Sequence, residues 1–283
     1  MIVAAEHRIP DLAAFRRRAQ RLRYTVMEMI GRAGSGHVGG AMSVIEILLV
    51  LYDHVLRVAP AQPDWPGRDR FVMSKGHAGP ALYAVLAEKG YFPARELRTL
   101  NANGTNLPSH CDMQRTPGID MTTGSLGQGL SAALGAALGL RLDDRPSRVW
   151  CLLGCGECNE GQVWEAAMAA AKYRADNLVA IVDYNRMQID GVAEDVMPMK
   201  PFAEKWRAFG WDAREADGHD PEALLAAFGE AAAVKGRPAV VIAHTVKGRG
   251  VSYAEGQYTS HNIKMNAELT AQALKELAED PCD

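Results

Sequence analysis

Between residues 148 and 245 short apolar runs alternate with helical segments, and no other feature constrains the fold of this 283-residue chain as strongly. Residues 148–153, 178–183 and 238–245 read as strands rich in Val, Ile, Leu and Ala, with 211–216 as a further strand. Residues 160–173, 201–209 and 221–234 read as the intervening helices. Strands without polar alternation are buried on both faces, and strands separated by helices pair in parallel through crossover units. Upstream, residues 70–74 read as one more buried strand, 11–30, 43–56 and 79–89 as helices, and the Ala-rich stretch that follows 123–129 as a helix to about 142. The expected class is therefore α/β, a parallel sheet with helices on both faces. The whole chain reads as one domain, with an N-terminal helical region over 1–20 and a C-terminal helix or tail over 262–283.

Charge and cysteine usage narrow the function by exclusion. With 31 Lys and Arg against 34 Asp and Glu there is no large positive field, which argues against a dedicated nucleic-acid binder. No run of about 18 apolar residues is present to span a membrane. The first twenty residues lack the basic stretch and apolar core of a secretory signal. Five cysteines in a chain of this length do not form a disulfide framework, and the expected setting is the reducing cytosol. The helix over 11–30 carries Arg16, Arg17, Arg18, Arg21 and Arg23, read as a solvated helix face.

Parallel sheets present ligands beyond the carboxyl ends of their strands. Chemistry is therefore expected just after Ser74, Leu153, Asp183 and Thr245. Gly154-Cys155-Gly156-Glu157-Cys158-Asn159 follows one strand end, and Tyr184-Asn185-Arg186-Met187-Gln188 another. Glycines after a strand let the backbone approach a phosphate, and the next helix offers its positive N-terminus. Asn185 supplies a neutral oxygen suited to a hard cation such as Mg²⁺. The two loops would hold a metal diphosphate between neighbouring strands. Cys151, Cys155 and Cys158 have C-x₃-C-x₂-C spacing, which resembles the iron–sulfur loop of radical S-adenosylmethionine enzymes. Cys151, however, lies inside an apolar strand and reads as a small buried residue.

Four further segments complete a pattern: Ser35-Gly36-His37, Ser74-Lys75-Gly76-His77, Thr123-Gly124-Ser125-Leu126-Gly127-Gln128-Gly129 and Thr245-Val246-Lys247-Gly248-Arg249-Gly250. Their order and approximate spacing resemble those of the transketolases. The stretch from Gly154 to Gly191 is similar to that family's thiamine diphosphate motif, a Gly-Asp-Gly turn followed 30 residues after its Asp by a metal-binding Asn. The resemblance runs from about Arg21 to His261. It implies the thiamine diphosphate-binding fold, and an amino-terminal, diphosphate-binding subunit of a split enzyme. Such an enzyme carries a two-carbon ketol unit from a ketose, expected as a sugar phosphate, to an aldose. No second α/β pattern follows His261, so the resemblance also implies a separate C-terminal subunit with the pyrimidine-binding and C-terminal domains, two of each chain. No nucleic-acid or membrane partner is expected.

The resemblance implies roles for individual residues. Asn185 and the Met187 carbonyl would bind the metal, Mg²⁺ or else Ca²⁺ or Mn²⁺. Lys75, His77, Gly124, Ser125, Leu126, Gly156, Glu157 and Lys247 would hold the cofactor, the lysines as point cations beside the diphosphate. His37, His77, His110 and His261 would face the reaction, since imidazole is a proton carrier near neutrality. Glu160 and Glu165 match acidic positions near the subunit contact, or else stabilise a helix N-terminus. His7, His54, His219 and His244 read as ordinary surface or core histidines, although His219, in Asp217-Gly218-His219-Asp220, also follows a strand.

At one position the chain departs from the family: Cys155 stands where the metal-binding Asp is expected. Sulfur is a poor partner for Mg²⁺, which prefers oxygen ligands. Three consequences are open at this level: a water replaces the carboxylate, a softer metal binds the thiolate, or cofactor binding is lost. The last would leave a non-catalytic structural or regulatory partner.

Overall fold

The computed structural model describes residues 8–278. Asp11 caps α1 (Leu12–Ala33) by accepting the Ala14 N–H, and Gly34 ends it with φ of 79°. The chain continues through β1 (Ser35–Gly36), α2 (Val38–Met42), α3 (Ile45–Val50), β2 (Arg70–Met73) and α4 (Gly79–Glu88). Next come α5 (Gln128–Leu142), β3 (Val149–Gly154), α6 (Gly161–Lys172) and β4 (Leu178–Tyr184). The remainder is α7 (Ala193–Val196), α8 (Phe202–Ala208), β5 (Asp212–Asp217), α9 (Pro221–Ala233), β6 (Ala239–His244), β7 (Ile263–Lys264) and α10 (Ala267–Ala278).

Five strands form one parallel sheet in the order β2-β3-β4-β6-β5. Alternate side chains of each central strand enter opposite layers, as a two-residue period requires. Trp150, Leu152, Val179, Ile181, Val241 and Ala243 pack with α1, α3, α4 and α9. Cys151, Leu153, Ala180, Val182, Val240 and Ile242 pack with α5, α6 and α8. Continuous apolar strands thus become a sheet covered on both faces, as the alternation of strand and helix predicts. β5, read from Asp-Ala-Arg-Glu-Ala-Asp, sits at the sheet edge with alternately covered residues. No helix among the described residues is long and apolar enough to cross a membrane.

Two expectations need correction. The stretch 43–56 is not one helix preceded by a glycine loop. α2 begins directly after His37, and the last turn, Leu51–Val55, widens to a π-helix. Gly39 and Gly40 lie within α2, where close neighbours leave no room for a side chain. A Cβ on Gly39 would lie 2.5 Å from Ser260 Oγ and 2.8 Å from a Lys247 carbon, and one on Gly40 would lie 3.1 Å from His77 Nε2. Here the glycines serve close approach, which local sequence does not distinguish from a flexible turn.

The arginines of α1 do not all face solvent either. Arg18 pairs with Asp53 and Glu88, and Arg23 is buried and donates to Glu46 at 2.7 Å. The sequence marks where the charges lie on the helix, but their partners come from segments 23 to 70 residues away. A buried pair that loses one member leaves an uncompensated charge. Arg23→Met is therefore expected to lower the stability of the chain by about 3 kcal/mol. Arg16→Ala, on an exposed position of the same helix, should stay within about 0.5 kcal/mol. Urea unfolding of the two variants checks both.

Candidate functional site

The carboxyl ends of β2, β3, β4 and β6 meet at a buried carboxylate. Asp183, fully enclosed near the end of β4, accepts hydrogen bonds from Ser43 Oγ (2.9 Å), Lys75 Nζ (2.5 Å), Asn185 Nδ2 (2.7 Å) and Thr245 Oγ1. Burial alone would raise its pKa, but the charge of Lys75 and the bonds from Lys75, Thr245 and Ser43 outweigh it and hold the carboxyl below its ordinary range. Lys75 also donates to the Gly40 carbonyl at 2.9 Å. Because Asp183 takes the Asn185 amide nitrogen, Asn185 Oδ1 is turned the other way, where it accepts the Met187 N–H at 3.1 Å.

Lys247, in the loop after β6, is nearly as buried as Lys75 but has no carboxylate partner among the described residues. Among those residues its ammonium meets only His261 Nδ1, at 3.4 Å. Burial, and then repulsion from Lys75, pull its ammonium down to about 8.

Four histidines from four segments converge beside it. His37 precedes α2, His77 follows β2, His110 comes from the long polar loop and His261 ends the turn Tyr258–His261. Their ring centroids are 5.2 Å apart for His37–His77, 5.3 Å for both His37–His110 and His37–His261, and 5.0 Å for His77–His261. Burial is the main cause that lowers each of them. His37 falls to about 4 with help from His110 and Lys247, and His261 falls to about 4 with help from Lys247 and His37. His77 lies well below its ordinary value, pushed further by Lys75, and burial lowers His110. At neutral pH these are uncharged rings, each able to donate one hydrogen bond and accept one.

Glu157 is buried with its carboxylate spent internally. Oε1 accepts from Ser74 Oγ and the Gly127 N–H, and Oε2 from the Gly154 N–H. It joins the turns after β2 and β3 to the start of α5. Gly156 opens the turn Gly156–Asn159, where a Cβ would lie 3.0 Å from the Gln188 side chain. Gly124, with φ of 150°, abuts His110. Leu126 is half-buried and Ser125 exposed. Glu160 occupies the N-cap position of α6 without a side-chain capping bond, and Glu165 is exposed on that helix. His54 and His244 are exposed, the latter 2.7 Å from Glu215, and His7 lies outside the described residues. Cys151, Cys155 and Cys158 are all buried, and burial raises each thiol. Among the described residues no group of three or more His, Cys, Asp or Glu is arranged to hold a metal ion.

Sequence reasoning missed Asp183 as the organiser, together with Ser43 and Thr245. A signal was present: an acid closing an otherwise apolar buried strand must find donors or a cation.

Two lysines and four neutral imidazoles gathered over glycine turns, at the carboxyl edge of a parallel sheet, define an α/β domain built to receive an anionic ligand. Comparison with known proteins gives the family. Residues 15–283 match the family described as transketolase, thiamine diphosphate binding domain, and the chain belongs to it. It is 50% identical over 259 residues to the 6-deoxy-6-sulfo-D-fructose transketolase subunit SqwG of Clostridium sp. (strain MSTE9), covering 92% of this chain and 94% of that one. It is 40% identical over 261 residues to an apulose-4-phosphate transketolase subunit of Phocaeicola vulgatus, covering 92% of each. Against human transketolase the identity is 42% over 267 residues, spanning 94% of this chain but 42% of that one. The crystal structure of transketolase from Campylobacter jejuni superposes with a TM-score of 0.88 at 28% identity, over 96% of this chain and 44% of that one.

The residues fit a diphosphate better than a hard cation. Lys247 is a buried charge without a counter-charge, and an anion beside it would relieve that cost. For a cation, both nearby carboxylates are already saturated by internal donors, and Cys155 Sγ lies 3.8 Å from Asn185 Oδ1. That leaves the Asn185 oxygen as the hard side-chain ligand there, too little for a cation held by protein alone.

The depressed histidines have a consequence for stability. Below pH 6.5 the unfolded chain takes up protons that His37 and His261 refuse until about pH 4. Stability should therefore fall as the pH drops from 6.5 to 4. Imidazole ¹⁵N spectra recorded across that range should show both rings still neutral at pH 5.

Proposed function

We propose that this chain is the cofactor-binding subunit of a two-chain transketolase, which moves a two-carbon ketol unit from a ketose to an aldose. The observation that carries the reading is the convergence of four uncharged imidazoles on a buried lysine without a counter-charge. Thiamine diphosphate, when bound, supplies the electron-accepting chemistry for breaking and remaking a carbon–carbon bond beside a carbonyl. Lys247 would neutralise the diphosphate, with Lys75 contributing less because Asp183 already offsets it. Gly124, Leu126 and Gly156 would line the cofactor. His37, His110 and His261 would accept hydrogen bonds from sugar hydroxyls or donate them to the reacting carbonyl, and could take up a proton as it leaves the substrate. His77, held neutral beside Lys75, would hold a proton at an oxygen on the cofactor side.

Two relatives named as subunits are covered over more than nine-tenths of their length, whereas full-length transketolases are covered over less than half. This supports a separate C-terminal subunit; an assembly of two of each chain is the arrangement expected by similarity to the family. Both subunit relatives are named for ketoses with an anionic group, a sulfonate or a phosphate, and we assign the donor here to that class. The described cysteines are unpaired thiols, in keeping with a cytosolic setting. A non-catalytic role for the chain is not favoured. Lys75 and Asn185 are buried and bonded to Asp183, Lys247 is buried close by, and His37 and His77 stay in ring contact beside them, an arrangement that a retired site would have no need to keep.

The chain and its C-terminal partner, mixed with thiamine diphosphate and a divalent cation, are expected to transfer ketol units from 6-deoxy-6-sulfo-D-fructose or fructose 6-phosphate to an aldose phosphate. The chain alone should not. Absence of transfer with both donors, in a complex that binds the cofactor, would count against the reading. Asn185 and the Met187 carbonyl would hold the cation together with the diphosphate, without sulfur. Cys155→Asp should accordingly tighten Mg²⁺ at least tenfold in the cofactor-loaded complex, measured by calorimetric titration.

A further inference from the structure

Beneath the Lys247 loop lies a buried charged relay that none of the roles above uses. Arg23 of α1 donates to Glu46 Oε2 of α3 at 2.7 Å, and the same oxygen lies 3.1 Å from His219 Nδ1. All three side chains are largely buried. On the far side of the ring, His219 Nε2 accepts the backbone N–H of Val246 at 2.9 Å. That bond fixes the tautomer. Nε2 must carry the lone pair, so Nδ1 carries the hydrogen and donates it to Glu46.

His219 is itself held in place. Its own N–H donates to Asp217 Oδ1 at 2.8 Å, and the Gly218 N–H donates to the His244 carbonyl at 2.7 Å. A Cβ on Gly218 would lie 2.4 Å from Thr245, so the turn can approach the start of the loop only with glycine there. From the other side, the Gly248 N–H donates to the Gly39 carbonyl at 3.0 Å, and a Cβ on Gly250 would lie 3.3 Å from the Arg23 stem. The loop is thus clamped at residues 246, 248 and 250. Lys247, between the first two clamps, is held buried without a counter-charge.

The geometry points to His219 as a positioning residue: through the Val246 N–H, and oriented by Glu46 and Arg23, it holds Lys247 in the anion-facing pocket. A loop free to relax would let the ammonium swing toward water, where a charge is more stable. The clamp opposes that motion before any anion arrives. The assignment of Lys247 to the diphosphate rests on the function proposed above; the clamp on the loop does not.

Two substitutions separate the bonds. In His219→Gln the side-chain oxygen reaches the place of Nε2 and can still accept from Val246. In His219→Asn the amide nitrogen takes the place of Nδ1 and can still donate to Glu46, but nothing reaches Val246. Hydrogen exchange of peptide 245–251 in the full chain should accelerate at least tenfold in His219→Asn and stay within threefold of the native rate in His219→Gln. Thiamine diphosphate affinity of the complex with its partner should follow the same order, about tenfold weaker in the first and within threefold in the second. A merely structural histidine would lower the unfolding midpoint of both variants and leave cofactor affinity unmoved. Equal exchange in the two variants, or ordered exchange with unmoved affinity, overturns the proposal. Failure of the native complex to bind thiamine diphosphate would remove the proposed function instead, and the exchange rates would then decide the positioning role by themselves.

Discussion

The site is organised around one buried negative charge. Asp183 ends a strand whose other residues are apolar, and it stays ionised because four donors from four segments surround it. Removing a carboxylate from water costs several kcal/mol, so each donor is tied to its place by that cost. Ser43 brings α2 and α3 to the sheet. Lys75 fixes the end of β2, Thr245 fixes the end of β6, and Asn185 is oriented by its amide nitrogen. The ends of β2, β4 and β6 and the α2–α3 junction are thereby locked together.

Charge is distributed unevenly over this frame. Lys75 is paired directly with Asp183, whereas Lys247 has no ion-pair partner among the described residues and feels Asp183 only at a distance. Glu157 looks like a candidate ligand in the sequence but is used as a strut between three turns. The pocket is therefore short of negative charge and lined by rings that stay neutral. That balance suits an anionic ligand reacting near polarised oxygens, and it agrees with membership of a thiamine diphosphate-binding family. The same balance makes Cys155 intelligible. A thiol there adds neither a charge nor a hard ligand to a pocket that already holds the buried cation Lys247.

The histidines show how position sets chemistry. His37, His77, His110 and His261 share a pocket with two lysines, and burial keeps them uncharged, with like charge adding to it for all but His110. His219 sits next to Glu46 and a backbone N–H, where its two nitrogens are assigned by their partners. His244 lies on the surface beside Glu215. Residues of one type are thus divided by surroundings, not by local sequence.

Much of this was legible in the chain itself. Continuous apolar strands separated by helices determine a parallel sheet covered on both sides, because no other arrangement buries both faces of each strand. That sheet determines where a ligand binds, so the glycine turns and polar residues after residues 74, 153, 183 and 245 could be singled out by position. The four histidines, two lysines and Asn185 were found by the resemblance of their segments to those of a known family. What the sequence could not decide were pairings over long separations. Asp183 meets Ser43 across 140 residues and Lys75 across 108, and Glu46 meets His219 across 173. Periodicity reports which face of an element is buried. Only the folded chain decides which charges meet beneath that face, and so which lysine is neutralised and which is left for a ligand.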